Sequence, residues 1–296
     1  MLSDAALALL RDVLGEPALF AQMPRIEQRV VRWGSPEAVT MPHRAVVVAQ
    51  DDLEKVLDLF PSGNIQQSGT FNGDFTIHAM APFPAGETLR FGERFSCSAR
   101  VVLDASAPAG TCWIEAVREG WLFLIPDGSG AAWLLAVGGD PQRMAENAPM
   151  IGPLINAMAP ANGTFDTSPR MLVRLAEGGW LACGTAAIAF DPICGDGTAQ
   201  AAREGLLASA VVSALARGED ASLLAMHYHS LLLASLRRHL QLSLPFYASG
   251  GSGRWWHDQY AAARAGYDRT TALLGALPEP RFALRGFDLV RREQAA

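Results

Sequence analysis

The sequence predicts an α/β (α+β) fold, and three observations carry that expectation. Three apolar strands follow one another closely between Thr111 and Val137, three helical stretches fill the chain from Thr198 to Leu277, and a glycine-rich turn joins the two regimes. Close-set strands joined by Glu119-Gly120 and Asp127-Gly128 imply an antiparallel sheet, and helices of this length need a sheet or one another to bury an apolar face.

The elements follow in order. Ser3 precedes an apolar-periodic stretch ending near Leu14, so a short amphipathic helix capped by Ser3 is expected. Strands are expected at Arg25 to Trp33 and Ala45 to Ala49, then a helix at Asp51 to Phe60. After a Gly/Asn/Pro-rich stretch holding Phe75 to Met80, Ser98 to Asp104 reads as a buried strand ending on a carboxylate. Thr111 to Val117, Gly120 to Ile125 and Ala131 to Val137 form the antiparallel set. Met144 to Met158 is expected to be helical, and Arg170 to Leu175 and Trp180 to Gly184 add two strands. Helices follow at Thr198 to Ala216, Ala221 to about Leu242 and Trp255 to about Leu277. In the first of these, Ala202, Leu206, Ala210 and Leu215 suggest a small-residue packing face. Ser249-Gly250-Gly251-Ser252-Gly253 reads as a flexible joint. Trp255, Trp256 and His257 after it read as a helix start docking its apolar face, with a lid over an aromatic substrate as the other reading.

Composition excludes several classes. Half of the 296 residues are apolar and 18% are charged, enough to bury a sizeable core. A net charge of −6 with no basic stripe argues against a nucleic-acid partner. Lys55 is the only lysine and lies at an exposed helix start, which closes off Schiff-base chemistry unless Lys55 carries it. Cys97, Cys112, Cys183 and Cys194 show no C-x-x-C spacing and read as buried free thiols of a reducing compartment. The N-terminus lacks a signal pattern, and His227, Tyr228, His229, Ser230, Arg237, Arg238 and His239 interrupt the leucine-rich stretch Leu223 to Leu244. A cytoplasmic protein with no membrane partner is therefore expected. His227 and His229 diverge by about 200° on a helix, so they do not form a metal pair, and no metal site is expected.

The segment from Gly184 to Ala199 carries the chemistry. It reads as a strand end, a turn stiffened by Pro192, and a helix opened by glycine near Thr198. Gly195 and Gly197 let the backbone approach a planar ligand with no Cβ in the way, and the helix start offers free N–H groups. A flavin edge that becomes negative on reduction suits that position. A packing role for the glycines is the plainer alternative.

Three segments together resemble flavoprotein monooxygenases of the para-hydroxybenzoate hydroxylase fold, in the branch of tryptophan-halogenase-like and quinone-cofactor-maturation flavoenzymes. Val101-Val102-Leu103-Asp104-Ala105-Ser106 resembles the strand ending in D-A-[ST]-G-R that lines FAD, with Ala107-Pro108 in place of the glycine and arginine. Gly184 to Gly197 resembles the G-D-A-A-x-x-x-D-P-x-x-x-x-G turn, with Thr185 where the family has a ribityl-binding aspartate. Gly120-Trp121-Leu122-Phe123-Leu124-Ile125-Pro126 is similar to the halogenase segment G-W-x-W-x-I-P, with Phe123 for the second tryptophan.

The resemblance implies FAD as cofactor, contacted by Asp104, Gly184, Thr185, Asp191, Pro192, Gly195, Asp196, Gly197 and Thr198, and a substrate pocket walled by Trp121 and Phe123. It assigns no catalytic residue. Halogenases of this branch need a relay lysine near the strand at Arg25 to Trp33, and Ile26, Glu27 and Gln28 offer none. The implied activity is monooxygenase-like oxidation of an aromatic substrate, tryptophan-derived or protein-bound. The family's opening strand, G-x-G-x-x-G turn and helix have no counterpart: the G-x-G sites at Gly128, Gly195 and Gly251 are followed at the sixth position by Trp133, Gln200 and Trp256. The chain is thus expected to start inside a flavoprotein, truncated at the first βαβ unit. The other reading is a non-catalytic remnant binding an aromatic ligand or a partner protein. A sheet edge left unpaired would be covered by a homodimer or a partner chain. The expected domains are a partial FAD-binding domain (1–60, 96–110, 170–218), a substrate-sheet domain (61–95, 111–169) and a helical C-terminal region (219–296).

Overall fold

The computed structural model describes residues 1–59, 75–80, 84, 86–195 and 197–292. The chain divides into two compact units, the first comprising Met1–Pro61, Gly92–Thr167 and Ser243–Ala262, the second Ser62–Phe91, Ser168–Leu242 and Ala263–Ala296.

The first unit is built on a nine-stranded sheet. In spatial order its strands are Leu2–Ser3, Val39–Val46, Arg25–Arg32, Thr111–Val117, Gly120–Pro126, Ala131–Val137, Phe95–Leu103 and Ile155–Met158, with Thr164–Asp166 also pairing to Phe95–Leu103. Arg25–Arg32 and Thr111–Val117 pair in parallel, Arg29 beside Cys112, and the other neighbours are antiparallel. The expected three-strand meander is present, with Trp113 opposite Leu124 and Phe123 opposite Leu135.

Side chains alternate across these strands. One face carries Val101, Trp113, Leu122, Leu124, Ala132, Leu134 and Ala136, packed against Met144, Ala145, Ala148 and Ile151. The register puts Trp121, Phe123, Leu135 and Val137 on the opposite face. The helix Asp4–Leu14 forms as expected: Ser3 accepts from the Ala6 N–H at 3.2 Å, Gly15 closes it in the left-handed conformation, and Ala6, Leu7 and Leu10 are buried.

Several boundaries differ from the sequence expectation. Met144 to Met158 is not one helix: a helix spans Pro141–Glu146, a 3-10 turn Gly152–Leu154, and a strand Ile155–Met158. Pro149 and Pro153 remove backbone donors, and Gly152 lies so close to the Ala145 carbonyl that a Cβ there would sit about 2.5 Å away. The freed segment pairs with Phe95–Leu103 instead. The second strand is Val39–Val46 rather than Ala45 to Ala49, because its pairing to Arg25–Arg32 starts at Val39 opposite Val31. The helix Gln50–Leu59 matches its expected position, and Phe60 lies outside the described residues.

The second unit holds two small three-stranded sheets. One orders Ile188–Ala189, Arg170–Leu172 and Thr88–Arg90, the other Ala176–Glu177, Trp180–Ala182 and Thr76–His78. Around them lie the helix Gly197–Ala216, the helix Ala221–Ser249 up to Leu242, and the helix Arg254–Gly275 from Ala263 onward. On Gly197–Ala216 the buried positions are Ala199, Glu204, Leu207, Ala208, Ala210, Val211 and Ala214. That face shares only Ala210 with the one expected, since Ala202, Leu206 and Leu215 are half-buried. A hairpin, Phe282–Arg285 against Asp288–Arg291, ends the described chain.

Among the described residues no helix is long and apolar enough to cross a membrane. None of the four cysteines is in a disulfide; Cys112 and Cys183 are buried as expected, Cys97 is half-buried, and Cys194 is exposed because it ends a surface 3-10 turn.

Candidate functional site

The Gly184–Thr198 segment lies wholly in the second unit. It is more folded than a simple strand end. Cys183 N–H donates to the His78 carbonyl at 2.8 Å, then Gly184 turns left-handed with φ +53° and begins a one-turn helix, Gly184–Ala187. A Cβ on Gly184 would sit 3.1 Å from the Ala79 carbonyl, so glycine suits both the torsion and the space. Ile188–Ala189 then pairs with Arg170–Leu172.

Asp191 and Pro192 fix the next corner. Asp191 is 2% exposed, and its carboxylate accepts the Ile193 N–H at 3.0 Å, capping the 3-10 turn Pro192–Cys194. Its own N–H donates to His239 Nε2 at 3.0 Å, and the His239 ring tilts against Phe190 with centroids 4.9 Å apart. Gly195 is left-handed, φ +63°, and its N–H returns to the Pro192 carbonyl at 2.9 Å. The helix then starts at Gly197, one residue before the expected Thr198. Asp196 lies outside the described residues.

This arrangement can receive a flavin edge. A Cβ at Gly195 or at Gly197 would meet none of the described residues within 4 Å beyond its chain neighbours. The first turn of this 20-residue helix carries no acidic side chain, and its partial positive end suits an acceptor. The ring-end residues therefore fit the group. The fit weakens at Thr185, whose hydroxyl points to the Ala79 carbonyl at 3.4 Å.

Asp104 lies in the first unit, just past the strand Phe95–Leu103. Its Oδ1 accepts from the Ser106 hydroxyl at 2.6 Å and the Ser106 N–H at 2.9 Å, closing a local turn. Those hydrogen bonds, with one from Asn156, hold its carboxyl below the usual carboxylate range.

Trp121 and Phe123 also belong to the first unit, two residues apart on one face of Gly120–Pro126. Trp121 is 1% exposed, 6.2 Å from the Trp33 ring, and its indole Nε1 has no hydrogen-bond partner among the described residues. Trp256 sits 5.3 Å from Trp33, donates Nε1–H to the Val117 carbonyl at 2.9 Å, and lies on the Gly250-Gly251 backbone. The Trp-Trp-His start thus docks into the sheet rather than forming a lid. The glycines of the expected joint serve that docking, since a Cβ on Gly250 or Gly251 would collide with the Trp256 ring. An open cleft of about 450 Å³ beside the helix Pro141–Glu146, lined by Gln142, Glu146 and Asn156, contains none of the expected site residues.

Two polar residues of the second unit escaped the sequence reading. Glu204 is 4% exposed, and its Oε1 accepts from Gln200 Nε2 at 2.9 Å. Burial pushes its carboxyl up to about 7, against the lowering effects of Gln200 and the Gly184 backbone. His239, which holds the Asp191 corner, is 6% exposed. Both carry a readable signal, a polar residue on an apolar helical stripe: Glu204 with Leu207, Ala208 and Val211, His239 with Leu232, Leu236 and Leu240.

No family model matches the chain, and no curated protein matches it. Solved structures do. A peptidyl tryptophan dihydroxylase essential for tryptophylquinone cofactor biogenesis, QhpG, superposes with TM-score 0.73 at 18% identity, over 98% of this chain and 77% of its own. The myxobacterial chondrochloren halogenase CndH, a variant of FAD-dependent halogenases, gives TM-score 0.74 at 15% identity, over 95% and 82%. A single-residue variant of Klebsiella pneumoniae HpxO, determined in complex with FAD, gives 0.57 at 15% identity, over 92% and 87%. The expected flavin-hydroxylase-type fold is therefore the observed one: this chain has the α/β fold shared by FAD-dependent halogenases and hydroxylases.

Proposed function

We propose that this chain is an FAD-dependent, monooxygenase-like oxidoreductase of the cytoplasm acting on an aromatic substrate, tryptophan-derived or carried on a protein. The observation that carries the reading is the glycine start of the helix Gly197–Ala216, with no acidic side chain in its first turn and a left-handed Gly195 before it. It stands where the motif Gly184 to Gly197 calls for the flavin. The peptidyl-tryptophan substrate of QhpG supports the choice of substrate class.

FAD, when bound, would supply the redox chemistry with oxygen. The chain's part is to hold and orient it. The backbone N–H groups at Gly197 and Thr198 would donate to the electron-rich flavin edge, with the helix dipole favouring negative charge there. Asp191 and Pro192 would keep that helix start in place through the Ile193 cap and His239. Gly184 and Thr185 would lie along the ribityl chain, and Trp121 and Phe123 would offer a substrate an aromatic surface.

A second reading is favoured by the Thr185 hydroxyl, which is directed to the Ala79 carbonyl: a non-catalytic protein of the same fold that binds an aromatic ligand or a partner chain. In either reading a second copy or a partner covers a sheet edge. Among the described residues Ile155–Met158 pairs on one side only. Visible absorbance of the purified protein, as isolated and after addition of FAD, tests the first reading. A flavin band that stays with the protein through gel filtration is expected; a folded protein that takes up no flavin moves the conclusion to the second.

A further inference from the structure

His227 is 4% exposed on the helix Ala221–Ser249, and its imidazole tilts against the Phe282 ring with centroids 5.6 Å apart. Both ring nitrogens are buried, and neither has a hydrogen-bond partner among the described residues. A neutral imidazole carries one N–H donor; a protonated one carries two, and a full charge. The surroundings therefore accept the neutral ring and hold nothing ready for the cation.

Phe282 opens the C-terminal hairpin, Phe282–Arg285 paired with Asp288–Arg291, and is buried together with Leu289 of the second strand. The hairpin is held where the helix Gly197–Ala216 passes into Ala221–Ser249. Arg217 reaches Asp288 Oδ1 at 3.1 Å and the Leu289 carbonyl at 3.2 Å, and Arg291 reaches Glu219 Oε2 at 2.8 Å. All of these groups lie in the second unit.

The charges around the ring do not favour a histidine cation. Asp288 and Glu219 already face arginines, and the Asp220 carboxylate accepts from the Ser222 and Leu223 N–H groups. Arg292, just past the hairpin, donates Nε–H to the Phe282 carbonyl at 3.1 Å. Burial first, then the Arg292 charge, lowers the His227 imidazole from its ordinary value. Arg281 and Arg285 add further positive charge to the same segment. On the helix itself, Tyr228 gives its hydroxyl to the Ala182 carbonyl, and His229 points about 200° away round the axis.

We propose that His227 is an acid-sensitive latch: its neutral ring, packed on Phe282, keeps the C-terminal hairpin docked, and proton uptake by the ring frees the hairpin. An imidazole in water takes its proton at about pH 6.5, the docked ring only at lower pH. Docking is therefore fully favoured above about pH 6.5 and weakens as pH falls below it. A lone two-stranded hairpin is marginal in water, so release also frees its backbone amides. The latch does not depend on the flavin reading.

Hydrogen exchange of the segment 282–292 in the purified protein, corrected for intrinsic rates, reads the latch. In wild type the opening of this segment is expected to rise several-fold between about pH 7.5 and about pH 5.5. His227→Phe keeps a ring against Phe282 and takes no proton, so its profile is expected to stay flat; His227→Gln serves the same purpose should the Phe variant not fold. Arg217→Gln removes the ion pair with Asp288 and should raise opening at both pH values while keeping the slope. Wild-type opening that does not change with pH overturns the proposal without recourse to any variant. So does a slope that survives in His227→Phe or His227→Gln, or one that vanishes in Arg217→Gln while the hairpin stays protected.

Discussion

His239 Nε2 accepts the backbone N–H of Asp191 at 3.0 Å, between a residue 6% exposed and one 2% exposed. One side chain on a long helix thus closes the corner through which the chain enters the Pro192 turn. The bond also fixes the imidazole in the state whose Nε2 carries no proton.

Replacing His239 by Phe keeps the ring against Phe190 but leaves the Asp191 N–H without that acceptor. A loss of about 1–3 kcal/mol is expected, the usual penalty for a buried donor deprived of its partner. Urea unfolding followed by circular dichroism measures it, and an unchanged midpoint would remove His239 from the account of this corner.

Glu204 gives stability a predictable pH slope. Its carboxyl is raised in the folded state, from 4.5 to about 7, so the folded protein binds the proton more tightly than the unfolded chain. The stability tied to that proton is fully present below about pH 4.5 and is lost as pH rises through about 7, an amount on the order of 3 kcal/mol. Glu204→Gln should therefore flatten this part of the profile and leave the variant more stable than wild type at about pH 8. A wild-type melting temperature that rises across this window, once the same slope in Glu204→Gln is subtracted, is the contrary outcome.

Gly250 packs its bare α-carbon against the Trp256 ring, which lies 1% exposed. Gly250→Ala forces the ring or the backbone to move and is expected to cost about 1–3 kcal/mol, as overpacking does elsewhere. A thermal melt reads the effect. A flexible linker would tolerate the alanine without loss, so an unshifted melt would contradict the docking described for Trp256.

Trp121 combines near-complete burial with an indole N–H that has no partner among the described residues. Trp121→Phe removes the unpaired donor with part of the volume and is expected to change stability by less than about 2 kcal/mol. Trp121→Ala opens a cavity and should cost about 3–5 kcal/mol. Equal losses in the two variants would show that the N–H is satisfied in solution. In a flavin-loaded, active protein, Trp121→Phe is further expected to change KM for an aromatic substrate more than kcat.

Much of the architecture could be read from residue order, since it rests on local rules. The Ser3 cap, the meander from Thr111 to Val137 and the helix opening near Gly197 all follow from patterns within one or two turns of chain. Met144 to Met158 misled because apolar spacing alone does not weigh Pro149 and Pro153 or show the strand Phe95–Leu103 waiting to pair. The candidate site divided in the same way. The glycine and Asp191-Pro192 positions stand out in sequence because their torsions demand those residues. His239 acts through a contact 48 residues away, at Asp191, and no local pattern reveals such a partner.

By itself, then, the sequence determined the α/β class, the antiparallel meander, the order of the helices and the turn from Gly184 to Thr198, all properties of neighbouring residues and of hydrophobic period. Only the tertiary structure decided which strand Ile155–Met158 would join, that Trp256 docks on Gly250-Gly251 instead of swinging free, and that a buried imidazole holds the turn at Asp191. The physical reason is common to all three. Each depends on a partner far along the chain whose distance and desolvation exist only once the backbone has closed around it.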